Sequence, residues 1–161
     1  MASASEAVMA EANSREISAI RIFDAPRRLV WKAWSSPENL GQWWGPHGFT
    51  TTTTEFELAP GGRWIFTMHG PDGTDYPNEV EFTAVRENEL IEYEHGPSPR
   101  FRVTVKFEDV GESRTRLSFL MVFGSVEERD NVAIKFGAVE GLDQTLGRLK
   151  EFVATGALTE E

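Results

Sequence analysis

The chain has no cysteine. That absence excludes disulfide staples, thiol catalysis and thiolate metal sites together, and it fits a cytoplasmic protein. Histidine is scarce, with only His47, His69 and His95. They are widely spaced, with no His-x-His and no helical pair, so no metal site is expected. Positive charge is in deficit: 16 Lys and Arg stand against 26 Asp and Glu, a net charge of −10. Such a field repels phosphate backbones and anionic bilayers, so neither nucleic acid nor a membrane is an expected partner. No apolar run reaches the ~18 residues of a membrane span. Met1 to Glu16 lacks the basic start and apolar block of a secretory signal. No Gly-x-Ser-x-Gly elbow and no glycine-rich phosphate loop occurs either. No cofactor is implied.

What is present suffices for one domain. The chain has 161 residues with 40% hydrophobic and 26% charged side chains, ordinary values for a globular protein with a core. Residues 1–14 read as a flexible lead-in, 15–156 as the domain and 157–161 as a tail. The most informative stretch runs from Phe23 to Pro46 and holds four of the five tryptophans. Ile17 to Phe23 reads as a strand. Asp24 and Pro26 then suggest the start of a helix carrying Leu29, Val30, Ala33 and Trp34 at helical spacing. Ser36-Pro37 opens a second short helix, and Trp44-Gly45-Pro46 stops it. Side chains this large are costly to leave in water, so the helix pair is expected to close over an apolar interior.

A long β section follows. Thr52, Thr54, Phe56 and Leu58 are expected on one face, then Trp64, Phe66 and Met68 after the Pro60-Gly61-Gly62 turn. Beyond Gly70-Pro71-Asp72-Gly73 come Val80, Phe82 and Ala84, then Ile91, Tyr93 and His95. Gly96-Pro97-Ser98-Pro99 turns the chain into Phe101, Val103, Val105 and Phe107. Leu117, Phe119, Met121 and Phe123 form the last stripe. Short turns imply antiparallel neighbours, and one apolar face per strand implies a sheet wet on one side only.

The chain finishes in an amphipathic helix. Ser125 and Glu128 form a capping-box pattern. Val132, Phe136, Val139, Leu142, Leu146, Leu149 and Val153 then step by three or four. That apolar stripe is expected to lie on the apolar face of the sheet. Gly137 and Gly141 within it each cost roughly 1 kcal/mol relative to alanine. Either close approach of the sheet or room for a ligand would offset that.

Several of these segments together resemble a known family. Ala25-Pro26, Val30-Trp31, Pro37-Glu38 and Trp43-Trp44-Gly45-Pro46 are similar to the opening of the START-like (SRPBCC) superfamily, in its branch related to the C-terminal domain of heat-shock-chaperone ATPase activators. Pro60-Gly61-Gly62-Arg63-Trp64 and Met68 to Gly73 followed by Tyr76 look like the same branch. So do Glu127 to Asp130, Gly137, Glu140-Gly141 and Gln144-Thr145-Leu146. The match runs from about residue 15 to 154. It implies an α+β helix-grip fold: a curved antiparallel sheet of about seven strands wrapped on a long C-terminal helix, with two short helices after the first strand. It also implies a cavity between sheet and helix.

The expected function is therefore binding of a small hydrophobic molecule, a lipid or an aromatic polyketide-like compound. The residues expected to line the site are Trp64, Phe66, Met68, Val80, Phe82, Tyr93, His95, Phe101, Val105, Phe119, Met121 and Phe136. Tyr93 and His95, with Asn78 on the same parity, are the polar groups expected to orient a ligand. The Trp31–Trp44 helices and the Gly70–Gly73 turn are expected at the mouth. No catalytic residues are assigned. Glu79/Glu81 and Glu92/Glu94 fall on the wet face, where Arg102 or Lys106 are natural cross-strand partners. Two alternatives stand: a single-domain co-chaperone-like interaction protein contacting a chaperone or forming a homodimer through a sheet edge, and a cyclase- or hydrolase-like enzyme using His95.

Overall fold

The computed structural model describes residues 8–9, 15–96, 100–135 and 137–155, with 8–9, 134 and 135 as backbone only. Two strands open the chain, β1 (Val8–Met9) and β2 (Glu16–Phe23). Two short helices follow, α1 (Arg27–Trp34) and α2 (Pro37–Trp43). Six strands then run as a meander: β3 (Thr50–Phe56), β4 (Arg63–His69), β5 (Asp75–Arg86), β6 (Leu90–Gly96), β7 (Phe101–Val110) and β8 (Arg114–Phe123). Two helices finish it, α3 (Val126–Lys135) and α4 (Ala138–Thr155). All neighbours pair antiparallel, in the order β1-β2-β8-β7-β6-β5-β4-β3. The seven long strands and the closing helix make the expected α+β helix-grip fold.

The alternation that predicts the strands also sets their faces. On β7, Val103, Val105 and Phe107 are buried while Arg102, Lys106 and Glu108 are exposed. The wet face carries ion pairs, Arg102–Glu94 at 3.0 Å and Arg63–Glu79 at 3.4 Å. This is the cross-strand role expected of those carboxylates. The inward row of β2 includes Arg21, which is buried and pairs with Asp143 of α4. That ion pair ties the helix to the sheet.

Two bulges change the expected faces. One lies between Thr53 and Glu55 on β3, the other between Phe82 and Ala84 on β5. An extra residue in one strand reverses parity beyond it. Thr51 and Thr53, not Thr52 and Thr54, therefore share the inner side with Phe56, and Val85 replaces Ala84 opposite Ile91. Beyond β3, the Pro60–Gly62 segment requires glycine twice. Gly61 has φ +85, and a Cβ on Gly62 would meet the Glu57 carbonyl oxygen at 2.2 Å.

Helix starts divide between expectation and correction. Ser36 caps α2 as expected, its hydroxyl accepting from Asn39 N at 3.2 Å. Asp24 does not cap α1. Pro26 occupies the N-cap position without a side-chain bond, and Asp24 pairs with Arg114 instead, at 3.1 Å. The Ser125–Glu128 cap forms, with Glu128 N donating to Ser125 Oγ at 3.0 Å. The closing helix is broken, not continuous. Gly137 takes φ +61, a left-handed conformation that separates α3 from α4. Among the described residues nothing lies within 4 Å of a Cβ built there, so contact with the described sheet is not the reason for this glycine.

The junction between β2 and α1 rests on one buried hydrogen bond, Thr115 Oγ1 to the Ala25 carbonyl at 2.7 Å. Thr115→Val keeps the shape and deletes the donor. A loss of about 1–3 kcal/mol in denaturant unfolding is expected, the cost of leaving a buried acceptor unpaired. An unchanged midpoint would show that water reaches the carbonyl.

Candidate functional site

A cavity of about 540 Å³ lies between the inner face of the sheet, the α1–α2 pair and α4. The sheet supplies Phe66 and Met68 from β4, Val80 from β5, Tyr93 and His95 from β6, Phe101 and Val103 from β7, and Phe119 and Met121 from β8. These are alternate positions at one end of adjacent strands. Trp34, Trp43 and Trp44 wall one side, and Leu142, Thr145 and Leu146 of α4 the other. Gly141 also faces it. Among the described residues a Cβ there would meet only Pro46 Cγ, at 3.9 Å, so this glycine leaves open space within a helix.

Eight of the twelve residues expected to line the site do line this cavity: Phe66, Met68, Val80, Tyr93, His95, Phe101, Phe119 and Met121. Trp64, Phe82 and Val105 do not. They have the right parity but lie where side chains fill the interior. Trp64 stacks on Phe66 with ring centroids 3.9 Å apart, and Phe82 packs edge-on to Tyr93 and Phe56. Val105 is fully buried in the packed core. Phe136 lies outside the described residues, as do Pro97 to Pro99 of the expected turn. At the mouth, Trp31 is not a lining residue and packs on Phe107 at 5.3 Å. The Gly70–Gly73 turn does not line the cavity either. The strand after it does, through Asp75 to Asn78.

Trp44 lines the cavity, and the loop that follows it to Phe49 joins the site without a sequence signal of its own. It is pinned to α4 from two sides. Gln144 Oε1 accepts from His47 N at 3.1 Å, and Arg148 Nη1 donates to the carbonyls of Gly45, Pro46 and Phe49 at 2.8, 3.2 and 3.2 Å. Desolvation pulls the Arg148 guanidinium below its ordinary value, with Glu151 opposing. Phe49 then reaches Tyr76 across the rim, with ring centroids 5.9 Å apart.

Polar groups at the cavity are few. Asn78 Nδ2 donates to the Tyr76 carbonyl at 2.8 Å, which fixes the amide. Asn78 Oδ1 therefore faces His95, and His95 Nε2–H donates to it at 2.7 Å. The His95 ring stacks on Phe101 at 4.6 Å and 6°. Thr145 donates to the Gly141 carbonyl at 2.7 Å, which leaves its oxygen as an acceptor. The Tyr93 hydroxyl has no hydrogen-bond partner among the described residues. Burial pushes its phenol well above the ordinary value of 10.0.

The Tyr93 shift carries a pH prediction. The folded state holds the proton more tightly than the unfolded chain. The associated stability is complete below about pH 10 and is lost as pH rises from there towards the folded-state value, by up to about 1.4 kcal/mol per unit. The chain has two tyrosines. A Tyr76→Phe variant should therefore show no phenolate absorbance until well above pH 10, and Tyr93→Phe should remove this part of the alkaline loss. Ionisation near the ordinary value would contradict burial of the phenol.

A second constellation lies on the edge strands. Thr52 Oγ1 is 2.8 Å from His69 Nε2, and His69 Nδ1 is 2.7 Å from Asp75 Oδ1. Hydroxyl, imidazole and carboxylate are in line because the register brings β3, β4 and β5 together here. Thr52 and Asp75 are exposed, so these bonds compete with water and tie the strand ends together. Among the described residues no group of three His, Asp or Glu side chains is placed to hold a metal ion, and no helix is long and apolar enough to cross a membrane.

Comparison with known proteins agrees with this architecture. Residues 24–154 match the family model described as activator of Hsp90 ATPase homolog 1-like protein. No curated protein matches the chain. Among solved structures, the chain resembles a protein from Arthrobacter aurescens with 27% identity, covering 96% of this chain and 95% of that one at a TM-score of 0.86. A Mycobacterium smegmatis protein is 24% identical over 92% of this chain and 97% of its own, with a TM-score of 0.82. An AHSA1-like protein from Aeromonas hydrophila is 20% identical over 91% and 96%, with a TM-score of 0.73. The tryptophan-rich helix pair, the meander and the closing helix thus place this chain in the activator of Hsp90 ATPase homolog 1-like family of the START/SRPBCC superfamily.

Proposed function

We propose that this protein binds a small hydrophobic molecule in the cavity between the sheet and α4. The observation that carries this reading is a space of about 540 Å³ walled by aromatic rings, methionines and aliphatic side chains, within the range of ligand pockets. Apolar walls of this extent offer packing contacts along their whole length to a ligand of matching shape. Binding would be driven by burial of apolar area at ~25 cal/mol per Å², less ordering costs.

The alternatives find less support. A docking module would need an exposed apolar patch, whereas Tyr76 is the one large hydrophobic residue exposed among the described residues, and it sits at the cavity rim. An acid–base enzyme using His95 would need a carboxylate beside the ring. At Nε2 the His95 ring bonds an amide oxygen, which cannot take the proton, so that nitrogen has no carboxylate partner.

The test is a thermal-shift panel of neutral aromatic, sterol and acyl compounds, paired with native mass spectrometry of the purified protein. A ligand bound only by the folded state raises the melting temperature with dose. One compound class doing so, with one molecule per chain in the spectrometer, is the expected result. An empty protein with no shift across the panel would overturn the reading.

A further inference from the structure

The charge around the cavity is one-sided. Among the described residues no lysine or arginine side chain lines it, and Asp75 is the one formally charged residue that does. Arg148 bonds to the loop at the mouth, but it is not a lining residue and its Nη1 is committed to three carbonyl oxygens. The chain as a whole carries −10. A ligand carboxylate entering this space would lose its water shell and find no cation, and the one lining carboxylate, Asp75, is exposed at the rim and bonded to His69. Burying an unpaired carboxylate is among the largest penalties in protein energetics, and such a group binds as its neutral acid or not at all.

The hydrogen-bonding groups point the same way. Tyr93 is buried in the inner row of β6, and its hydroxyl has no partner among the described residues. A phenol is a good donor, and from the cavity wall it can bond a ligand oxygen. A carbonyl or ether oxygen on the ligand would satisfy it. The Thr145 hydroxyl, already donating to Gly141, offers only an acceptor from the opposite wall.

Resting on the reading of the cavity as a ligand site, we infer that it selects neutral hydrophobic molecules carrying a hydrogen-bond acceptor, a ketone or a related carbonyl compound, and rejects carboxylates such as fatty acids. Tyr93 donates to the acceptor. Selectivity comes from what the wall lacks as much as from what it offers.

Two matched pairs test this: para-acetylbiphenyl against para-biphenylcarboxylic acid, and methyl undecyl ketone against dodecanoic acid. Each pair keeps its apolar body and exchanges a methyl group for a carboxylate oxygen. Trp34, Trp43 and Trp44 line the cavity and supply an intrinsic fluorescence signal for the titrations. At about pH 8 each ketone is expected to bind at least about tenfold more tightly than its acid. The gap should narrow as pH falls towards the carboxylic acid range of about 4. The ketone measured at each pH corrects for the titratable lining groups Asp75, Tyr76, Tyr93 and His95. Tyr93→Phe should weaken the ketones roughly fivefold, the worth of one neutral hydrogen bond, and leave plain biphenyl unchanged.

Acids binding as tightly as ketones at about pH 8 would overturn the charge selectivity while leaving the cavity reading in place. Ketone affinity unaffected by Tyr93→Phe would overturn the donor role. No binding by any of the four compounds would overturn both this inference and the proposed function.

Discussion

Trp64→Ala is expected to destabilise the protein by about 3–5 kcal/mol, among the largest single effects in this fold. Trp64 is 2% exposed and is not a cavity residue. Its ring stacks on Phe66 at 3.9 Å and meets Trp44 edge-on at 4.9 Å. Its Nε1–H donates to Thr53 Oγ1 at 3.0 Å, which holds the edge strand β3 on the inward side of its bulge. Alanine removes the ring, orphans the threonine hydroxyl and leaves a void that the surrounding aromatics can close only in part. For a chain of this size the melting temperature should fall by roughly 2–4 °C per kcal/mol. A loss under about 1 kcal/mol would mean that the tryptophan cluster is loosely packed and that the cavity extends beneath Phe66.

Gly141→Leu should do the reverse, sparing stability and weakening ligand binding. Gly141 sits in the first turns of α4, where glycine costs about 1 kcal/mol relative to a good helix former. A Cβ there has only an ordinary contact with Pro46, and the rest of the side chain would enter the cavity. Leucine should therefore hold or raise the melting temperature while weakening ligands by tenfold or more. Gly141→Ala should gain the helix stability with a smaller effect on binding. A large drop in stability on Gly141→Leu would mean that no usable space lies beside this helix. Unchanged affinity would place the ligand elsewhere.

The contrast between these residues marks how far the sequence could be read. Strand parity identified which side chains face inward, and on β6, β7 and β8 every expected inner residue is on that face. Parity says nothing about position along the axis of the sheet. Val105 and Phe119 are paired in register, yet only Phe119 reaches the cavity, because α1 and its tryptophans plug the neighbouring volume. The bulges at Thr53/Glu55 and Phe82/Ala84 leave no mark in a run of threonines or in an otherwise regular alternation. Gly137 interrupts a stripe whose spacing continues unbroken through it, so periodicity predicts one helix where backbone conformation makes two. Asn78 is on the face that its parity with Val80 predicts, whereas Pro46, Phe49 and Asp75 to Pro77 join the site through tertiary placement, held by Arg148, Gln144 and strand register. No local pattern encodes that.

A cavity lies between the sheet and α4 of this chain, and the proposal is that its lining selects what it binds. The most direct test is methyl NMR with labelled methionine. Met68 and Met121 sit on different strands at the cavity wall, among four methionines in the chain. With para-acetylbiphenyl added, the account predicts intermolecular NOEs from the ligand to both the Met68 and Met121 methyls, with saturation at one ligand per chain. A bound ligand that contacts neither methyl, or shift changes confined to residues outside the cavity, would contradict it.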